Sequence, residues 1–104
     1  NHVAQLMNKN VKAIICVHYG GLPCDMDELQ NIADKWSIPI IKDAAHAVGA
    51  KYKGSNIGSI SDFTMFSFQA IKHITTGDGG MLIVKNKELI EIRENLQKKI
   101  DTIY

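Results

Sequence analysis

The sequence predicts an α/β layer fold built on a mostly parallel sheet. Three observations carry that expectation. Val11–Val17, VKAIICV, is a short apolar run rich in branched residues, the pattern of a strand buried on both faces. A capped helical pattern follows it, and a second apolar run, Ser37–Lys42 (SIPIIK), follows the helix. Strand, helix and strand within about thirty residues make a βαβ unit, whose strands pair in parallel through a right-handed crossover.

The helix is legible from its start. HYGGLPCD reads as a loop by its paired glycines and Pro23. Asp25 suits the N-cap, with Glu28 three residues on in the capping-box position. Met26, Leu29, Ile32, Ala33 and Trp36 then recur at helical spacing. From Asp43 to Ser59 small residues and Gly49, Gly54 and Gly58 break any periodicity, which predicts a loop. Asp62–Phe68 (DFTMFSF) alternates as a third strand does, and MLIVK after a Thr-Thr-Gly-Asp-Gly-Gly turn predicts a fourth. Leu89, Ile90, Ile92, Leu96 and Ile100 place a helical stripe over 87–100.

Composition narrows the function classes. The 104 residues bound the chain to one small domain or a piece of a larger one. Twelve Lys and Arg nearly balance eleven Asp and Glu, and no basic stripe carries interleaved aromatics, so no nucleic-acid partner is expected. No apolar run approaches the ~18 residues of a membrane helix, so no membrane partner is expected either. The two cysteines, Cys16 and Cys24, are too few for a disulfide framework and lack metal-ligand spacing. They fit a reducing cytoplasm, Cys16 as a small core residue, and no metal site is expected.

Four positions stand out chemically. Asp43 directly follows a predicted parallel strand, where ligands bind in open α/β sheets, although aspartate also caps turns. His46 sits among Ala44, Ala45 and Ala47, which would let a flat ring approach the backbone; alone, it also fits a packed turn residue. Ser67 and Lys72 lie at the end of the third strand and in the loop after it. A serine hydroxyl with exposed N–H groups can hold a phosphate, and a lysine nearby can attack a carbonyl; the alternative is a capping serine and a solvated lysine. Together, an acid for a pyridinium nitrogen, a phosphate cradle and a lysine for the aldehyde make a coherent set for pyridoxal phosphate.

The stretch KDAAHAVGAKYKGSNIGSISDFTMFSFQAIKHITTGDGGML, with VHYGGLPCDMDEL upstream, resembles the DegT/DnrJ/EryC1/StrS family of sugar aminotransferases over residues 11 to 84. Several features in order carry the likeness: Asp-Ala-Ala-His-Ala, Gly-Ser, Phe-Ser-Phe, a lysine and the Thr-Thr-Gly-Asp-Gly-Gly turn. The resemblance implies the large domain of a fold-type-I pyridoxal 5'-phosphate enzyme, a mostly parallel sheet with an antiparallel strand after the lysine loop. It implies that Asp43 pairs with the pyridinium nitrogen and that His46 lies near the ring and its phenolic oxygen. Ser67 would bind the phosphate with help from Gln69, and Lys72 would condense with the aldehyde and then carry protons. It implies amino transfer from an amino acid, L-glutamate by analogy, to a nucleotide-linked keto sugar in polysaccharide or amino-sugar biosynthesis. A homodimer is implied as well, with sites that borrow partner residues.

Two departures qualify the likeness. Lys42 stands where the family commonly has an acid before the aspartate. The N-terminal phosphate-binding turn and the C-terminal small domain are also missing, so residues 1–104 are expected to form part of the large domain and to be inactive alone. Two other readings stay open at this level. One is a nucleotide-sugar dehydratase of the same fold, in which histidine replaces the lysine. The other is a non-catalytic flavodoxin-like domain, which would need helices between Asp43 and Gly80.

Overall fold

The computed structural model describes residues 2–85 together with 90, 91 and 94. The stripe expected over 87–100 otherwise lies outside the described residues. Over residues 2–85 the α-helices and strands run in the order α1 (His2–Leu6), β1 (Ile14–Val17), α2 (Met26–Trp36), β2 (Ile40–Asp43), β3 (Lys51–Tyr52), β4 (Ser55–Asn56), β5 (Phe63–Ser67) and β6 (Gly80–Val84). The main sheet has the order β1-β2-β5-β6. β1 and β5 flank β2 in parallel, and β6 returns antiparallel to β5, as the resemblance implied.

Helix α2 forms as its sequence predicts. The Asp25 carboxylate accepts the Glu28 N–H at 3.2 Å and also takes the Tyr52 hydroxyl at 2.9 Å. A good N-cap is worth about 1 kcal/mol. Ser37 closes the helix in the left-handed region, φ 52°, and its N–H returns to the Ala33 and Asp34 carbonyls. The helix buries Met26 and Ala33 against Ile14, Cys16 and Ile40, which form the larger core cluster. Ala44, Ala47 and Ile57 form a second, smaller one.

Three expectations change. β1 starts at Ile14, three residues later than expected, and it is buried on one face only: Ile15 is 68% and Val17 50% exposed. Among the described residues α2 packs on the other face, so branched residues on both sides of β1 do not imply two covered faces here. The loop expected from Asp43 to Ser59 contains the β3–β4 hairpin, turned by Lys53 (φ 47°) and Gly54 (φ 85°). Two successive residues at positive φ suit a tight hairpin turn, but strands of two residues carry too little alternation to be read from sequence. Helix α1 likewise had no expected counterpart. Between β2 and β6 there is no α-helix among the described residues, which removes the basis for the flavodoxin-like reading.

Candidate active site

Pairing register sets the site. Asp43, the last residue of β2, stands opposite Val17 of β1 and Met65 of β5, so β2 ends two positions short of Ser67, the last residue of β5. Strand alternation places Asp43, Met65 and Ser67 on one face of the sheet, opposite the buried face of Ile40, Lys42 and Thr64. The carboxylate and the hydroxyl therefore share both a face and the carboxyl edge of the sheet, although 24 positions separate them in sequence.

The backbone around Asp43 is tied on both sides. Its carbonyl accepts the His18 N–H at 2.9 Å, and the next N–H, of Ala44, goes to the Met65 carbonyl at 2.8 Å. The Asp43 carboxylate accepts the Ala45 N–H at 3.0 Å, so the capping role is real. An ionised carboxylate has about four acceptor positions, so this bond leaves capacity for a ligand. The two roles weighed for Asp43 are compatible.

His46 is exposed, in the turn that follows. Its Nδ1 accepts the Gly20 N–H at 3.4 Å, and the Tyr19 ring meets it edge-on with centroids 5.5 Å apart. Gly20 and Gly21, both at positive φ, allow this approach; a Cβ on Gly21 would lie 3.1 Å from the His46 carbonyl oxygen. Tyr19 is the contact that sequence reasoning missed. Its only signal was the HYGG turn, which reads as a loop and nothing more.

Beyond β5 the chain holds itself in shape by local bonds. Ser67 Oγ accepts the Gln69 N–H at 3.4 Å, and the Gln69 carbonyl accepts the Lys72 N–H at 2.9 Å. Gln69 spends its side-chain oxygen on the Ile71 N–H. The Phe68 carbonyl takes both the Thr76 N–H and the Thr75 hydroxyl, and Thr75 Oγ1 in turn accepts the Gly77 N–H, with Gly77 at φ 85°. Lys72 is half-buried, and its amine makes no hydrogen bond or ion pair among the described residues. His73 Nε2 lies 3.1 Å from the Val48 carbonyl oxygen and so links this loop to the one after Asp43.

These residues fit the chemistry of pyridoxal phosphate. One face and one edge carry a carboxylate with acceptor capacity left for a ring nitrogen and a hydroxyl for a phosphate. A lysine amine with no competing partner stands in the loop beyond that edge, which is tied back to the aspartate loop. All five expected positions, Asp43, His46, Ser67, Gln69 and Lys72, belong to this edge or the two loops that leave it.

Lys42 turns the other way. It is fully buried and donates to the carbonyls of Ile57 and Ile60. Burial, with a smaller opposing effect of Cys16, lowers its ammonium to about 8. Its departure from the family pattern therefore acts on the face away from Asp43. His18 and Thr64 are buried on that side as well, and His18 is held low chiefly by burial.

Three comparisons bear on this arrangement. A family model described as the DegT/DnrJ/EryC1/StrS aminotransferase family matches residues 1–99. The chain is 48% identical over 81 residues to the UDP-4-amino-4,6-dideoxy-N-acetyl-beta-L-altrosamine transaminase of Campylobacter jejuni, covering 78% of this chain and 22% of that protein. It is 42% identical over 89 residues to the GDP-perosamine synthase of Escherichia coli O157:H7, covering 86% and 24%. Among solved structures, Spr1654 of Streptococcus pneumoniae in its PMP form superposes with a TM-score of 0.81 at 35% identity, covering 91% of this chain and 28% of that one. The chain thus spans about a quarter of the length of these relatives.

Proposed function

The chain belongs to the DegT/DnrJ/EryC1/StrS aminotransferase family, and from that premise we propose that it forms part of the cofactor-binding large domain of a pyridoxal-phosphate-dependent sugar aminotransferase. The reaction moves an amino group from an amino acid, L-glutamate by analogy, to a nucleotide-linked keto sugar, in the cytoplasm. The Campylobacter and Escherichia relatives, named for UDP- and GDP-linked sugars, support that substrate class. The PMP form of the Streptococcus protein supports the cofactor. The observation that carries the reading is the shared face and edge of Asp43 and Ser67, with the Lys72 loop tied to Val48 beside them.

Pyridoxal phosphate, when bound, supplies an electron sink for carbanion chemistry next to an aldehyde. Asp43 is suited to hold a proton on the ring nitrogen, because its carboxylate keeps acceptor positions beyond the Ala45 N–H. Such a charge-assisted bond is among the stronger ones available to a site. Ser67 would orient the phosphate through its hydroxyl, while the Gln69 N–H, bonded to Ser67 Oγ, shapes the chain beside it. Lys72 would hold the cofactor through its aldehyde and, when its amine is free, would serve as the base and then the acid for the proton transfer. A lysine rather than a histidine at this position favours amino transfer over the dehydratase alternative. The partner subunit of a homodimer would complete the sugar site.

Borohydride reduction of the full-length protein purified with pyridoxal phosphate, followed by peptide mapping, tests the reading. The reduced cofactor is expected on Lys72, with loss of the visible absorption band. No band, or label on another lysine, overturns it.

A further inference from the structure

We infer that Cys16, His18 and Cys24 form a binding site for a thiophilic d10 cation such as Zn2+, on the sheet face away from Asp43. Strand alternation puts Cys16 and His18 on the same buried side of β1 and just beyond it, and the His18–Cys24 turn folds back over them. One ligand atom from each residue lies within 4.8 Å of the other two. In a tetrahedral site with Zn–S bonds of about 2.3 Å, sulfur atoms sit about 3.8 Å apart, so side-chain rotation alone can close the set.

A second observation points to a ligand. His18 is fully buried, yet its Nε2 has no hydrogen-bond partner, while Nδ1 accepts the Cys24 N–H at 3.2 Å. Buried polar atoms are normally satisfied, and with Nδ1 accepting an N–H the neutral ring carries its proton on Nε2; a cation binds Nδ1 in place of the Cys24 N–H, or Nε2 once the proton has moved to Nδ1 and that N–H has turned away. Both thiols are free, and Cys24 Sγ meets only a weak acceptor, the Val17 carbonyl at 3.3 Å. Two thiolates and a divalent cation sum to zero charge, so filling the site adds none to a face that already buries the Lys42 ammonium beside Cys16. Binding releases two thiol protons to solvent, and three protein ligands leave a fourth position for water.

The cation would pin the end of β1 to the start of α2, and this inference is independent of the cofactor site. The test uses the full-length protein, reduced and stripped of metal, with Co2+ as the probe. One equivalent is expected to bind with a sulfur-to-cobalt charge-transfer band, to be displaced by Zn2+, and to release close to two protons. Cys24→Ser is expected to weaken binding by at least about tenfold, the loss that even outer partners of a metal cause. Because Cys16 is buried and its serine variant could unfold, the half-exposed Cys24 carries the test. Absence of the band, an affinity unchanged in Cys24→Ser, or a Cys16–Cys24 disulfide that forms in preference to metal binding overturns the inference.

Discussion

His73 Nε2 stands 3.1 Å from the carbonyl oxygen of Val48, 25 positions earlier in the chain. The contact joins the loop that carries Lys72 to the loop that begins at Asp43, and it is the one side-chain hydrogen bond between them among the described residues. An exposed hydrogen bond of this kind contributes only about 1 kcal/mol to stability, so its effect should fall on the placing of the lysine.

Replacing His73 with Ala is therefore expected to leave the unfolding midpoint nearly unchanged while slowing cofactor attachment several-fold. Stopped-flow absorbance on addition of pyridoxal phosphate, alongside denaturant unfolding, separates the two effects. Equal attachment rates would show that the loop holds its shape through the Phe68, Gln69 and Thr75 bonds alone.

Asp43→Asn retains an oxygen for the Ala45 N–H, so the turn should survive. Loss of the charge removes an interaction of about 2 to 3 kcal/mol, which corresponds to a fall of roughly 30- to 150-fold in kcat. Steady-state kinetics of the full-length enzyme with a nucleotide-linked keto sugar measures it. A variant within about twofold of the parent would remove Asp43 from the mechanism.

Lys72→Arg keeps a cation at a half-buried position whose amine has no partner to lose. Far-UV circular dichroism and thermal unfolding should match the parent, while borohydride fixes no cofactor on the protein and amino transfer disappears. Residual transfer above background would assign the nucleophile elsewhere.

Lys42 makes stability depend on pH in a defined window. Its ammonium value is about 8 in the fold against an ordinary 10.5, so between those values the unfolded chain binds more protons and stability rises with pH. Cys16, pushed up to about 11 from 9.0 chiefly by burial, acts in the opposite sense above pH 9. The net gain is thus confined to about pH 8 to 9 and amounts to about 1 kcal/mol. Urea midpoints of metal-free, reduced protein measure it, and Lys42→Met should abolish the gain. A parent midpoint that is flat or falls across this window would contradict the assignment of a buried, easily deprotonated lysine.

The sequence by itself determined the pieces that depend on near neighbours. Helical spacing from Met26 to Trp36 with Asp25 before it, the apolar runs of β1, β2 and β5, and the glycine turn before β6 all encode local dihedrals and burial. The order of Asp43, Ser67 and Lys72 along those elements was legible for the same reason. Only the tertiary structure decided which residues meet. Whether β1 is covered on one face or two depends on what packs there. That Lys42 turns away from Asp43 toward the Ile57 and Ile60 carbonyls follows from the pleat and from where the 57–60 turn lies. Cys16 and Cys24 lacked any spacing that suggested a shared ligand, yet the turn at Gly20 and Gly21 brings them together with His18. Register and loop path set such contacts, and these depend on the whole sheet rather than on any window of residues.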